Sequence, residues 1–233
     1  MITVGIAGSQ GKMGSALQSL LKEGFFPNLK CSALFDKSAP LSLSSAQSID
    51  ALIDFTEPKA TMNFLPILKE LKKAIVIGTT GFSEGEKNEI RKLSQSVPVV
   101  LSPNMSIGVN VLFDLVQKAA KLLPTEFSSH ILEIHHPHKK DAPSGTALKL
   151  KEEILRSAQD DKKNVSIESV RGGDVVGEHT VYFLSQGERL ELTHRATSRT
   201  IFARGALKAA EWVVKQKPGL YSMQDVLEGN LSK

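Results

Sequence analysis

Five short apolar runs mark the first part of the chain, at 1–7, 30–35, 51–55, 74–77 and 97–101. Runs of this length, rich in β-branched residues and bounded by glycine or polar residues, predict buried strands. Helical spacing fills the intervals. Ala16, Leu17, Leu20 and Leu21 follow the first run, and amphipathic patterns cover 58–71 and 83–93. Strands alternating with helices predict βαβ units and a mostly parallel sheet covered on both faces. Between Asp36 and Asp54 the chain is short and serine-rich. It has little room for a full crossover helix, so that link is expected to be trimmed or irregular.

The period then changes. Val109, Leu112, Phe113, Val116, Ala119, Ala120 and Leu123 fall on one stripe of a helix over 107–123, which Pro124 stops. Strand patterns follow at 131–135, 165–170, 180–184 and 189–193, interrupted by helices over 144–156 and 200–215. Strands in succession with short links predict an antiparallel or mixed sheet, hence a second domain of α+β type. The polar stretch 157–164 reads as a solvated loop. No internal repeat is present.

At roughly 100–200 residues per domain, 233 residues fit one large or two small domains. Hydrophobic residues make up 41% and charged residues 23%, which excludes a disordered or collagen-like chain. One cysteine, Cys31, excludes an internal disulfide and fits a reducing cytosol. The net charge of +4 is carried by no basic tail, so neither nucleic-acid nor membrane-surface binding is implied. No apolar run is long enough to cross a membrane, and no secretory leader pattern opens the chain.

Gly8, Gly11 and Gly14 stand directly between the first strand and its helix. A helix start offers unpaired N–H groups and a positive dipole end, and glycine lets a pyrophosphate approach them. Asp36 ends the second strand, where a carboxylate accepts hydrogen bonds from a ribose 2′-OH. Lys37 reads either as a partner for a 2′-phosphate or as an ordinary solvated lysine. Phe55-Thr56, Gly78-Thr79-Thr80 and Ser102-Pro103-Asn104-Met105 follow the next three strands. Ligands of open α/β sheets bind beyond the carboxyl ends of strands. Thr79, Thr80 and Asn104 are therefore candidates for the carboxamide or riboses, although such residues also build plain turns.

The segment 133–147, EIHHPHKKDAPSGTA, is the most informative. His135, His136 and His138 with Lys139 and Lys140 bracket Pro137. Histidine exchanges protons near neutrality, and lysine adds a donor and a fixed charge. Together they fit an anion that also needs a proton. The helix starting at Ser144, Gly145 and Thr146 offers N–H groups and a hydroxyl to a carboxylate. A metal site and a structural histidine cluster are the alternatives. Against a metal, Pro137 disfavours a helix aligning His135 with His138, the cysteine is distant, and the lysines repel a cation.

These motifs together resemble the 4-hydroxy-tetrahydrodipicolinate (dihydrodipicolinate) reductase family. The resemblance rests on G-x-x-G-x-M-G, Ile53-Asp54-Phe55-Thr56, Gly78 to Phe82, Asn104 to Asn110, and H-H-x-x-K-x-D-A-P-S-G-T-A from His135. Further matches are RGGDVVGEH from Arg171 and the run 194–199. The resemblance implies an α/β chain with an N-terminal Rossmann-like dinucleotide-binding domain over 1–106, to which 217–233 returns. It implies a C-terminal α+β mixed-sheet domain over 107–216 for substrate binding and tetramerisation. The implied activity is reduction of a cyclic dicarboxylate imine in lysine and diaminopimelate biosynthesis. NADH or NADPH would be the cofactor, in a cytoplasmic homotetramer with no metal, nucleic-acid or membrane partner. His135 matches the proton donor/acceptor and Lys139 the proton donor, with His136, Gly145 and Thr146 on substrate. Cofactor contacts are expected from Gly8, Ser9, Gln10, Gly11, Lys12, Met13, Asp36, Lys37, Gly78, Thr79, Thr80, Ser102, Pro103, Asn104 and Met105. The short link after Asp36 departs from many members, which have a longer insertion there. An amino-acid dehydrogenase of similar layout, such as aspartate dehydrogenase, and a non-catalytic dinucleotide-sensing module are the alternatives. The His–Lys–Gly–Thr segment argues against both.

Overall fold

The structure, a computed structural model, describes residues 1–157 and 164–229. The loop expected over 157–164 thus lies, apart from its ends, outside the described residues, as do residues 230–233. The first elements are β1 (Ile2–Ala7), α1 (Lys12–Lys22), β2 (Leu29–Phe35), β3 (Ala51–Asp54), α2 (Pro58–Leu71), β4 (Ala74–Ile77), α3 (Glu84–Ser94), β5 (Pro98–Leu101) and α4 (Ile107–Leu122). Then come β6 (Ser128–His135), α5 (Gly145–Ser157), β7 (Val165–Arg171), β8 (Gly177–Leu184), β9 (Arg189–Ala196), α6 (Thr200–Val213), β10 (Gly219–Tyr221) and α7 (Met223–Glu228). They form two compact units, Met1–Ile107 with Thr200–Lys233, and Gly108–Arg199.

The first unit is built on a parallel sheet in the order β10-β5-β4-β3-β1-β2. Its strands alternate between two cores. Ala51, Ile53, Ala74 and Val76 face α1 and α6, while Leu52, Ile75 and Ile77 face α2 and α3. Burial on both faces explains why these runs read as continuously apolar. The chain reverses direction across the sheet at β1, which lies between β2 and β3. Such a switch point opens a crevice beyond the carboxyl ends of the strands. The link from β2 to β3 is irregular as expected: it holds only a 3-10 turn, Ser45–Ser48, anchored by buried Leu41, Ala46 and Ile49.

Two differences from the sequence reading concern the C-terminal part. Helix α6, expected in the second domain, packs into the first unit. Ala203, Ala206, Ala209 and Ala210 are fully buried and let the helix sit close on the sheet with Leu207 and Val213. The short β10 and α7 were not foreseen as elements. β10 pairs with β5, so the tail does return to the first sheet.

The second unit carries a mixed sheet in the order β7-β6-β8-β9, parallel between β6 and β7 and antiparallel elsewhere. Helices α4 and α5 cover one face through Val109, Leu112, Phe113, Val116, Ala147, Leu150 and Ile154. On β6, Ile131, Glu133 and His135 point to that covered face, because strand side chains alternate.

Candidate active site

The turn after β1 is held by the β2 end: Gly8 N–H donates to Phe35 O at 2.9 Å. Gly8 has φ of 78°, and a Cβ there would lie 2.6 Å from the Phe55 carbonyl oxygen, so only glycine fits. Gly11 opens α1, and no side chain caps that helix start. Its first N–H groups are thus not claimed by a capping side chain. Asp36 is fixed nearby. Its carboxylate accepts from Ser38 N–H at 2.8 Å, Ser38 Oγ at 2.6 Å, Ala39 N–H at 3.2 Å and Ser9 Oγ at 3.0 Å. The Ser38 hydrogen bonds above all hold its pKa down at about 2. Asp36 and the exposed Lys37 line a 710 Å³ cleft with Gly8, Gln10, Gly11 and the apolar Phe35, Leu41 and Phe64. An ionised acceptor, an apolar wall and a glycine turn suit the adenosine and phosphate end of a dinucleotide. Of the other turn residues, Lys12 is exposed and Met13 packs partly against the core.

The loops after β3 and β4 are tied together by a carboxylate that sequence reading had only as part of a motif. Asp54 is fully buried. It accepts from Thr56 N–H at 3.0 Å, Thr56 Oγ1 at 2.6 Å and Thr61 Oγ1 at 2.5 Å, and Thr79 also reaches it. Thr56 N–H is shared with Thr79 Oγ1 at 2.9 Å. Burial pushes the Asp54 pKa up against these donors. Gly78 and exposed Thr80 flank buried Thr79. In the loop after β5, Ser102 Oγ donates to Asn104 O at 2.8 Å, and Asn104 Oδ1 accepts from Ser106 N–H at 2.9 Å. Pro103 is exposed, whereas the Met105 side chain is buried in the core.

In the second unit, sheet register assembles the His–Lys segment with residues far away in sequence. One rung runs Ser169–Glu133–His179–His194 across the four strands, and the next pairs Arg171 with His135. Glu133 is fully buried. Its Oε1 accepts from Arg171 Nη2 at 2.8 Å and from Ser144 N–H at 3.2 Å, and its Oε2 lies 2.5 Å from His135 Nδ1. Burial alone would raise its pKa, but hydrogen bonds from Ser169, Arg171 and Ser144 and the nearby His135 hold it at about 2. Burial lowers the His135 pKa, with Glu133 pulling the other way and Lys139 and Arg171 adding to the drop. His179 packs edge-on against His135 at 5.1 Å between ring centroids. Its Nε2 shares a hydrogen bond of 3.1 Å with Ser144 Oγ, and burial takes its pKa down to about 3. A Cβ on Gly177 would lie 3.0 Å from His135 Nε2, so glycine keeps that edge of the ring clear.

Lys139 Nζ donates to both oxygens of Asp141. Helix α5 starts at Gly145, with Gly145 exposed and Thr146 half-buried. His136 is placed by its N–H bond to Val175 O at 2.8 Å, and its Nε2 meets Arg199 Nη2 at 3.2 Å. Arg199 thus orients a residue of the segment. Glu133, His135 and His179 could each offer a ligand atom within 4.8 Å of one another. Arg171 and Lys139 beside them oppose a cation, and Glu133 is already engaged.

Family profiles decide the relationship. "Dihydrodipicolinate reductase, N-terminus" matches residues 2–105, and "Dihydrodipicolinate reductase, C-terminus" matches 108–227. The chain belongs to the dihydrodipicolinate reductase family. A 4-hydroxy-tetrahydrodipicolinate reductase of Syntrophus aciditrophicus is 50% identical over 195 residues, covering 76% of this chain and 73% of the relative. That of Nitrosomonas europaea is 40% identical over 264 aligned positions, covering 97% of this chain and 98% of the relative. The alignment is longer than the 233-residue chain, so the relative carries segments that this dihydrodipicolinate reductase homologue lacks. In fold, the chain is similar to the dipicolinate-bound dihydrodipicolinate reductase of Paenisporosarcina sp. TG-14, with a TM-score of 0.81 at 24% identity over 95% of this chain and 97% of that one.

Sequence reading missed Glu133, Ser144, Arg171 and His179 as members of this cluster. Glu133 had a signal: it stands two residues before His135, and a strand puts such pairs on one face. Arg171 and His179 needed the register.

Proposed function

We propose that this chain catalyses the NAD(P)H-dependent reduction of 4-hydroxy-tetrahydrodipicolinate to tetrahydrodipicolinate, a step of lysine and diaminopimelate biosynthesis. The observation that carries it is the buried Glu133–His135 pair beside the Lys139–Asp141 pair, whose carboxylate draws on the α5 start at Gly145, in a chain of this family. A bound NADH or NADPH supplies the hydride. Gly8 to Met13, Asp36 and Lys37 hold the adenosine and phosphate end, and the loops bearing Thr79, Thr80 and Asn104 hold the nicotinamide end. Gly145 N–H and Thr146 bind a substrate carboxylate at the positive end of α5, with His136 and Lys139 adding donors. Water leaves the 4-hydroxy compound to give a conjugated cyclic imine. As hydride adds, negative charge develops on the resulting enamine. Lys139 stabilises that charge and delivers a proton to the ring, and His135 manages the proton supply.

Within the same reading the second unit assembles a homotetramer. Only one face of its sheet is covered by α4 and α5, while Val170, in register with Ile134 on the other face, remains 45% exposed. Light scattering at micromolar concentration should give four copies; a monomer contradicts the assembly. The cytoplasm is the compartment that suits such a soluble biosynthetic step. No helix among the described residues is long and apolar enough to cross a membrane.

The deciding test is loss of NADH or NADPH absorbance with freshly generated 4-hydroxy-tetrahydrodipicolinate. Turnover with this substrate and none with aspartate is expected. Absence of turnover with either cofactor overturns the reading.

A further inference from the structure

Fully buried carboxylates are costly unless several donors converge on them. Glu133 has those donors. Ser144 N–H and Arg171 Nη2 satisfy Oε1, and the Ser169 hydroxyl also reaches the group. Two separate segments, β7 and the residue that precedes α5, are thus used to keep a negative charge on the covered face of β6. Its remaining oxygen points at His135 Nδ1, 2.5 Å away. Ring nitrogen and oxygen are both buried and face each other as an ion pair, and among the described residues no hydrogen-bond partner from elsewhere serves either. A carboxylate is an acceptor only, so the nitrogen facing it carries the hydrogen.

We propose that Glu133 is a positioning residue that fixes His135 as the Nδ1–H tautomer and turns a bare Nε2 toward the reacting centre. This inference rests on the reading of His135 as the proton-handling residue. Two further features fit it. His135 Nε2 faces the α-carbon of Gly177, where any side chain would crowd it. His179, the direct cross-strand neighbour of Glu133, packs against the His135 ring in a T-shaped contact, 5.1 Å between centroids. Neutral His135 then accepts a proton at Nε2 and returns it there, while the buried carboxylate supports the transient imidazolium. The groups facing His135 are Glu133 from its own strand, Arg171 from β7, His179 from β8 and Lys139 from the following loop. Glu133 is the only anion among these, so its removal disfavours the charged ring.

The test combines nitrogen NMR of histidine-labelled protein with kinetics of Glu133→Gln. Signals are assigned by comparison with His135→Asn. Wild-type His135 should show hydrogen on Nδ1 at neutral pH. In Glu133→Gln the tautomer should shift toward Nε2–H. Its kcat should fall roughly tenfold or more, the scale of losing an orienting partner. KM and NADH affinity should stay within about threefold, because Glu133 touches neither ligand in the proposed mode. The limb of the rate profile belonging to His135 should move to lower pH. An Nε2–H tautomer in the wild type overturns the proposal, and so does a variant whose rate falls with its tautomer unchanged or whose rate does not fall. Should Glu133→Gln fail to fold, the wild-type tautomer alone decides. The tautomer is read without turnover, so failure of the proposed reaction leaves this result distinguishable.

Discussion

Lys139 Nζ stands 2.8 Å from both carboxylate oxygens of Asp141. The same carboxylate draws on the Gly145 N–H, and its pKa is lowered chiefly by Lys139. The cation and the helix-start donor assigned to a substrate carboxylate therefore already hold one from their own chain.

That exchange has a measurable cost. An exposed ion pair contributes about 0–1 kcal/mol, so releasing Lys139 from Asp141 should be worth up to roughly fivefold in affinity. Asp141→Asn is expected to bind dipicolinate, a planar dicarboxylate stand-in for substrate, about 2–5-fold more tightly by calorimetry with NADH present. The gain should shrink at high salt. Weaker binding would show that Asp141 helps build the site rather than occupying it.

His179 gives the second unit an acid sensitivity of its own. Its folded pKa of about 3 lies below that of a free imidazole near 6.5, because it is buried. Between those values the unfolded chain binds a proton that the folded chain excludes. Stability is complete above the unfolded pKa and falls as pH drops, by about 1–2 kcal/mol between pH 6.5 and 5. This window lies above the range in which the depressed Glu133 carboxylate is protonated. His179→Gln should flatten the pH dependence by that amount in urea melts. Parallel slopes for the two proteins would rule the explanation out.

Cofactor choice turns on neighbours in the adenosine cleft. Ser38 and Ser9 hold Asp36 ionised and oriented, which favours a ribose 2′-OH. Exposed Lys37 can offset the repulsion of a 2′-phosphate. Both cofactors should work, with NADH equal or better. Lys37→Ala should weaken NADPH by about fivefold and leave NADH nearly unchanged, while Asp36→Ala should weaken NADH about tenfold. Fluorescence titration checks both. Equal losses of NADH and NADPH in Lys37→Ala would remove the lysine from the phosphate.

How far the sequence could be read depended on whether the signal was local. The turn Gly8–Gly11–Gly14, the acid Asp36 and the run His135 to Thr146 are each contiguous or set by a strand end, and their residue types state their chemistry. Residues acting through sheet register were not legible. Glu133 looks like an ordinary polar position of an alternating strand until β7 and β8 bring Arg171 and His179 beside it. Asp54 was visible within a motif, but its work as a hub requires Thr61 and Thr79 from two other segments. The sequence announced a helix over 200–215, and nothing in its pattern says which of two sheets it will cover.

The roles of His135 and Lys139 rest on rate against binding. If both act on charge and protons that appear as hydride arrives, alanine at either should lower turnover about 10²–10⁴-fold. NADH affinity, measured by fluorescence, should stay near wild type. Lys139→Ala should also raise KM, since the lysine helps hold the dicarboxylate. Because the two serve one proton-transfer unit, the double variant should lose less than the product of the single losses. Steady-state kinetics of the two single variants and the double, with NADH titrations alongside, is the measurement. Turnover largely retained in His135→Ala, or variants that simply fail to bind NADH, would contradict it.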